Sequence, residues 1–307
     1  MFNFRCIKKS LQYLKFLFFL LIENTFCLFS RPKKYYAGEI VLITGSANGI
    51  GRQVALKLAP LGVTLVLWDI DDEGNKETSR LAQQNGANRV FVYHCDCSNR
   101  EDVYEQADKV KKEVGDVSIL INNAGVVIGK RFLDSPDSLV DKTMAVNTMA
   151  HFWTYKAFVP AMIAANHGHL VSIASCAGLC GGSQIADYCA SKFAAIGFAE
   201  SIDMEMRTLK KTGVKTTIVC PFVINTGMFD GVKSKWPRVL PSLDPEYVAE
   251  RIVSAVRQNQ EILFIPRIIY VLYFLKCFLP VKAIVLLFDY FGVLDCMNTF
   301  KGRPKKE

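Results

Sequence analysis

The sequence predicts an α/β protein: one doubly wound parallel sheet covered by helices on both faces, with hydrophobic segments at both ends. Three observations carry this. Short apolar runs alternate with helical stretches from Glu39 to Ile265. These runs are continuous in Val, Ile and Leu rather than alternating apolar with polar, as strands covered on both faces require. A glycine-rich turn separates the first run from the first helical stretch.

In chain order the predicted strands are Ile40–Ile43, Val63–Trp68, Val90–Tyr93, Ile119–Ile121, Leu170–Ile173, Thr217–Val219 and Ile262–Ile265. Helical stretches fall near 50–60, 73–84, 99–114, 137–164, 186–211 and 245–258. Strand–helix alternation of this kind builds a Rossmann-like sheet through right-handed crossovers. No internal repeat or linker interrupts it, so residues 38–265 read as one domain, preceded by 1–37 and followed by 266–307.

The ends differ in character from the middle. The chain has 307 residues and a formal charge of +8. Residues 1–40 carry +5 of it and residues 261–307 carry +3, so 41–260 is neutral. Basic residues beside greasy segments suit an anionic membrane surface rather than nucleic acid, for which the neutral middle offers no basic patch. The run from Leu11 to Phe29 is interrupted by Lys15 and Glu23, and Phe16–Ile22 is well short of the ~20 apolar residues of a simple span. Without a small-residue cleavage site after it, the segment reads as an uncleaved anchor or interfacial helix; a cleaved signal or a packing arm is the alternative. After Ile265, Pro266 and Pro280 divide a second greasy stretch into short pieces. These read as amphipathic helices lying on a membrane or lidding a lipophilic pocket, or else as an oligomer interface. The ten cysteines include Cys176, Cys180, Cys189 and Cys220 in apolar or motif segments, where buried thiols are expected. His94-Cys95-Asp96-Cys97 has strand-like spacing and makes a poor metal clamp, and no second ligand pair has zinc spacing, so no metal is expected.

The first strand runs into Thr44-Gly45-Ser46-Ala47-Asn48-Gly49-Ile50-Gly51. Gly45 allows a tight exit from the strand, Gly49 a close approach of backbone to a pyrophosphate, and Gly51 close packing of the following helix. The helix N-terminus then offers free N–H groups to phosphate. Asp69 ends the second strand, where a carboxylate accepts from the adenosine ribose 2′-hydroxyl and repels a 2′-phosphate. With no Lys or Arg between Gly45 and Gly51, the reading is NAD over NADP. Tyr188 and Lys192 stand one helical turn apart on one face. A phenol with pKa near ~10 is a poor base, and a neighbouring ammonium together with a positive nicotinamide ring favours its phenolate.

With Asn122-Asn123-Ala124-Gly125, Asn147, Ser172-Ile173-Ala174-Ser175 and Tyr188-Cys189-Ala190-Ser191-Lys192, the chain resembles the short-chain dehydrogenase/reductase family over roughly residues 38–265. The resemblance implies that Ser175 holds the substrate oxygen and Tyr188 is the general acid/base. Lys192 binds the nicotinamide ribose and tunes Tyr188, and Asn147 holds a water relaying protons through Lys192. It further implies that Asn122 and Gly125 shape the cofactor floor, that Asp96 meets the adenine, and that Thr226 meets the nicotinamide amide. One departure stands out: Pro221-Phe222 occupies a place where the family often has Pro-Gly. The substrate loop, about Phe222–Leu243, carries Phe222, Met228, Phe229 and Trp236 as an apolar wall. Within the family, the combination of a hydrophobic N-terminus, Leu67-Trp68-Asp69-Ile70, Asp96-Cys97-Ser98-Asn99-Arg100-Glu101-Asp102 and a greasy C-terminus resembles a subgroup of retinol and 17-beta-hydroxysteroid dehydrogenases. The resemblance implies a lipophilic alcohol as substrate, all-trans-retinol or a steroid, and residence on endoplasmic reticulum and lipid-droplet membranes with the catalytic domain facing the cytosol. It also implies a homodimer. A catalytically silent lipid-droplet interaction protein is the rival of another class.

Overall fold

Continuous Val, Ile and Leu runs need cover on both faces, and the chain supplies it by winding helices to either side of one sheet. The computed structural model describes residues 34–302 together with Gln12 and Lys15, which are helical. The strands are β1 (Ile40–Thr44), β2 (Thr64–Asp69), β3 (Arg89–His94), β4 (Ile119–Asn122), β5 (Gly168–Ile173), β6 (Val214–Pro221) and β7 (Ile262–Ile265). They lie in the order β3-β2-β1-β4-β5-β6-β7, every pair parallel. The order reverses between β1 and β4, and ligands of doubly wound sheets bind outside the carboxyl ends of the strands at such a switch point.

The helices are α1 (Gly49–Leu58), α2 (Asp72–Gln84), α3 (Arg100–Glu113), α4 (Asp137–Met144), α5 (Ala150–Ala165), α6 (Ala186–Thr208), α7 (Pro245–Arg257), α8 (Ile268–Phe278) and α9 (Val281–Tyr290). Two apolar cores result, one on each face of the sheet. Val41, Ile43, Leu65 and Leu67 point to α1 and α7; Leu42, Val66, Trp68 and Leu120 point to α3 and α5. β3 is an edge strand with its residues only half covered.

Two local features depart from the sequence reading. The stretch expected as one helix over 137–164 is divided by a wide π-type turn at Ala145–Met149, which contains Asn147. Such turns insert an extra residue and re-aim side chains at functional sites. Cys95 and Cys97 lie beyond the end of β3, in the loop that leads to α3, and both are buried. The eight cysteines among the described residues are all free thiols, and no group of His, Cys, Asp or Glu there is placed to hold a metal.

The C-terminal tail packs on the domain. Ile269 and Leu272 of α8 join Leu240 and Phe264 in a third apolar cluster. Beyond α9, Met297 is buried against Ile185, Tyr188 and Cys189, and Lys301 donates its N–H to Asp230 O at 2.8 Å. Among the described residues no helix is long and apolar enough to cross a membrane. The greasy segment expected as an N-terminal anchor, 1–37, lies mostly outside the described residues.

Candidate active site

A cleft of about 360 Å³ opens at the switch point. Its polar end is the turn between β1 and α1. A Cβ on Gly45 would stand 2.8 Å from Ala124 Cα, and the residue has φ +67. A Cβ on Gly51 would stand 2.2 Å from Gly45 O. Both positions therefore demand glycine, and their absent side chains let backbone close over the strand ends. At the start of α1, Asn48 makes no side-chain cap and the first turn holds no acidic residue, so its N–H groups face the cleft without a competing anion. Across the cleft, Asp69 accepts from Ala47 N at 2.8 Å and from Asp71 N at 2.9 Å. These are the features a dinucleotide needs: uncapped N–H groups for the pyrophosphate and a carboxylate at the adenosine end.

Gly45, Asn48, Gly49, Ile50, Asp69, Asp96, Gly125, Ser175, Tyr188, Lys192 and Thr226 all border this one cleft. Ser46, Gly51, Asn122 and Asn147 do not. Ser46 Oγ turns inward to Asn75 Oδ1 at 2.7 Å and Trp68 O at 3.1 Å, tying the turn to β2 and α2. Asn122 points to the α5 face, where its Nδ2 donates to Thr154 Oγ1 at 2.9 Å. As the last residue of β4 it alternates away from the cleft, and its neighbour Asn123 takes the position expected of it. The Asn123 amide donates to Thr44 O at 3.0 Å and Gly45 O at 2.9 Å, fastening β4 to the glycine turn. Trp236 is likewise outside the apolar wall. Its Nε1 donates to Tyr290 O at 2.7 Å and its ring stacks on Tyr290, joining the substrate loop to α9.

At the other end of the cleft, α6 carries Tyr188 and Lys192 on the face turned to β5, both buried. Ser175 follows the end of β5, and its side chain borders the same cleft as Tyr188. Its Oγ accepts from Ala177 N at 3.1 Å, which fixes its rotamer. Lys192 Nζ donates to Ile173 O at 2.9 Å and lies 5.7 Å from the centre of the Tyr188 ring. Burial pushes the Tyr188 phenol well above its ordinary value, only partly opposed by the Ser175 hydroxyl, and burial pulls Lys192 down to about 8. Desolvation therefore outweighs the pull of the Ser175 hydroxyl on the phenol, and the tyrosine is held as an acid. Asn147 is fully buried and bonded on both sides of its amide. Oδ1 accepts from Val126 N at 2.8 Å, and Nδ2 donates to Val126 O at 2.9 Å and Ser191 Oγ at 3.0 Å. It clamps the β4 loop against α6 beside Lys192.

A second pocket, about 80 Å³, adjoins Ser175 and Tyr188 on the side away from the glycine turn. It is lined by Ile185, Phe222, Phe229 and Val232 and closed by Val293, Cys296 and Met297 of the C-terminal tail. Sequence reasoning did not assign these tail residues to the site. Only the general greasiness of the tail signalled that it could serve as a lid.

These features coincide with a known pattern. Residues 39–236 match the sequence profile of short chain dehydrogenase. The chain belongs to the short-chain dehydrogenase/reductase family. It is 56% identical over 306 residues to epidermal retinol dehydrogenase 2 of Homo sapiens, covering 99% of each chain. It is 41% identical over 303 residues to retinol dehydrogenase 10 of Homo sapiens, covering 90% of this chain and 89% of that one. Among solved structures it resembles a short chain dehydrogenase/reductase from Burkholderia phymatum in complex with NAD, at 26% identity and TM-score 0.72, covering 83% of this chain and 96% of that one. It also resembles a metagenomic short-chain oxidoreductase in complex with NADP, at 27% identity and TM-score 0.63, covering 76% and 97%. The protein is therefore a retinol dehydrogenase-like oxidoreductase with a site for a nicotinamide dinucleotide.

Proposed function

We propose that the protein oxidises a lipophilic primary alcohol, all-trans-retinol foremost, to its aldehyde with NAD, at a membrane surface of the endoplasmic reticulum or lipid droplets. The observation that carries this reading is the position of Tyr188 and Ser175 at the seam between the polar cleft and the apolar pocket roofed by Met297. An alcohol whose hydrocarbon fills the apolar side presents its hydroxyl to both side chains.

Residues Gly45 to Gly51 and the start of α1 would hold the pyrophosphate, Asp69 the adenosine ribose and Lys192 the nicotinamide ribose. NAD supplies the acceptor for the carbinol hydride. Ser175 Oγ donates to the carbinol oxygen and orients it, and the Tyr188 phenolate takes the hydroxyl proton at Oη. Burial raises the Tyr188 phenol above its ordinary value, so forming this phenolate needs a positive charge close by, which Lys192 would contribute from the same face of α6. The Ile173 carbonyl positions the Lys192 ammonium, whose value of about 8 keeps it a proton donor near neutrality, while Asn147 holds the neighbouring Ser191 of the same helix.

The preference for NAD is supported by two features. The Asp69 carboxylate borders the cleft at the end of β2, where it would repel a 2′-phosphate. The nearest cation after the turn, Arg52, is bound to Thr78 Oγ1 and the carbonyls of Ala47 and Gly74 rather than turned to the cleft. Membrane association is supported by α8 and α9, which leave Phe274, Phe278, Val281 and Leu286 exposed beside Lys282. A homodimer is the arrangement carried over from the family resemblance.

The test supplies all-trans-retinol to membranes bearing the protein, with NAD or NADP, and quantifies retinal. NAD-dependent retinal formation at least about tenfold faster than with NADP is expected. Oxidation of a steroid alcohol with no retinal would overturn the substrate assignment, and equal rates with both cofactors would overturn the NAD preference.

A further inference from the structure

Resting on the lipophilic-alcohol reading above, we propose that Phe222 sets the length of alcohol the site accepts, by walling off a second apolar chamber beneath the C-terminal helices. The chamber, about 90 Å³, lies between the domain and the α8–α9 pair and is lined by Leu240, Ile269, Leu272 and Leu287. Among the described residues no carboxylate or amide side chain borders it, and the cation there, Lys276, donates its Nζ to Leu179 O. Such a lining recognises hydrocarbon and nothing polar.

Phe222 borders the dinucleotide cleft, the pocket beside Tyr188 and this chamber at once. The pocket and the chamber also share Cys176, Cys180 and Val293. The partition between them is therefore about one side chain thick, and the phenyl ring is its largest element. Its place is fixed by backbone: Phe222 N donates to Ile265 O at 2.7 Å, just beyond the β6–β7 pairing, and the ring packs against two of the apolar cores. A held ring at this point makes a ruler. Hydrocarbon that fits between Tyr188 and Phe222 is accepted, and a longer tail meets the phenyl face although open apolar volume lies directly behind it.

The experiment uses the full chain in membranes with saturating NAD and three allylic alcohols of increasing length: geraniol, farnesol and geranylgeraniol. Wild type is compared with Phe222→Ala, and with Phe222→Leu, which keeps an apolar side chain if the smaller residue impairs folding. Opening the wall raises the ratio of kcat/KM for geranylgeraniol over farnesol at least about tenfold, since even one methylene in an apolar pocket is worth roughly 10–200-fold. Filling the chamber by Leu272→Trp in the Phe222→Ala background returns the ratio toward the wild-type value. Turnover with a ratio within twofold of wild type in both Phe222 variants overturns the ruler alone. Wild type that oxidises none of these alcohols and no retinol overturns the underlying function together with it.

Discussion

Replacing Gly51 by alanine sets two effects of opposite sign against each other. Alanine favours helix over glycine by up to about 1 kcal/mol in a helix interior, and the benefit is smaller in the first turn, where Gly51 sits. Against this, the added Cβ would stand 2.2 Å from Gly45 O, 2.7 Å from Asn123 Nδ2 and 2.9 Å from Gly45 C, where ordinary contact begins at 3.4 Å. The first two of these atoms are joined by the 2.9 Å hydrogen bond that fastens β4 to the turn, and neither is the free end of a flexible side chain. Helix α1 must therefore withdraw from the turn by more than about 1 Å, at the ~1–3 kcal/mol typical of overpacking. The displaced groups are the N–H donors aimed at the pyrophosphate, so the cost falls on the dinucleotide. Gly51→Ala should weaken NADH binding by about ten- to a hundredfold, read by fluorescence titration, while the melting temperature of the unliganded protein changes little or falls. A dissociation constant within twofold of wild type, accompanied by a raised melting temperature, would refute the view that this glycine exists to bring the helix close.

Three further outcomes follow from the same geometry. Asp69→Asn should shift the NADP-to-NAD ratio of kcat/KM by at least about tenfold toward NADP, because the negative charge beside the ribose is gone while an acceptor for Ala47 N remains. Asn147→Ala strips partners from both Val126 backbone groups and should cost about 2–4 kcal/mol in denaturant unfolding; Asn147→Asp, which keeps only the acceptor for Val126 N, should recover part of it. His151 is buried and neutral, its pKa lowered to about 3 by burial and the Lys192 charge. The unfolded chain binds that proton below ~6.5, so stability is full above that pH and falls by up to ~1.4 kcal/mol per unit toward 3; His151→Phe should flatten that slope in acid unfolding curves.

The sheet was legible because strands covered on both faces are built on apolar runs; six of the seven observed strands contain one of at least three residues, and β5 carries Leu170-Val171 before Ser172. The glycine turn and Asp69 were legible because their chemistry depends on backbone placement at fixed points in a strand–turn–helix unit. Other features depend on long-range packing. Ser46 reads like a phosphate-loop hydroxyl, yet Asn75, well along the chain on α2, draws it inward. Asn122 and Asn123 are indistinguishable until the alternation at the end of β4 decides which one faces the cleft. The π-type turn at Asn147 interrupts a stretch whose apolar pattern reads as one helix. Greasiness marked the tail as something to be covered, but only the fold shows Met297 against Tyr188 and Trp236 clasping Tyr290.

Tyr188→Phe removes the hydroxyl on which alcohol oxidation depends and leaves the dinucleotide cleft otherwise intact. Full-length wild-type and variant protein in membranes are given all-trans-retinol and NAD, with NADH binding measured in parallel. The variant should bind NADH yet form retinal at least about 100-fold more slowly, because only the proton acceptor has been removed. A variant that binds NADH and retains more than about a tenth of wild-type turnover would contradict this assignment, since general base catalysis alone contributes roughly 10²–10⁴.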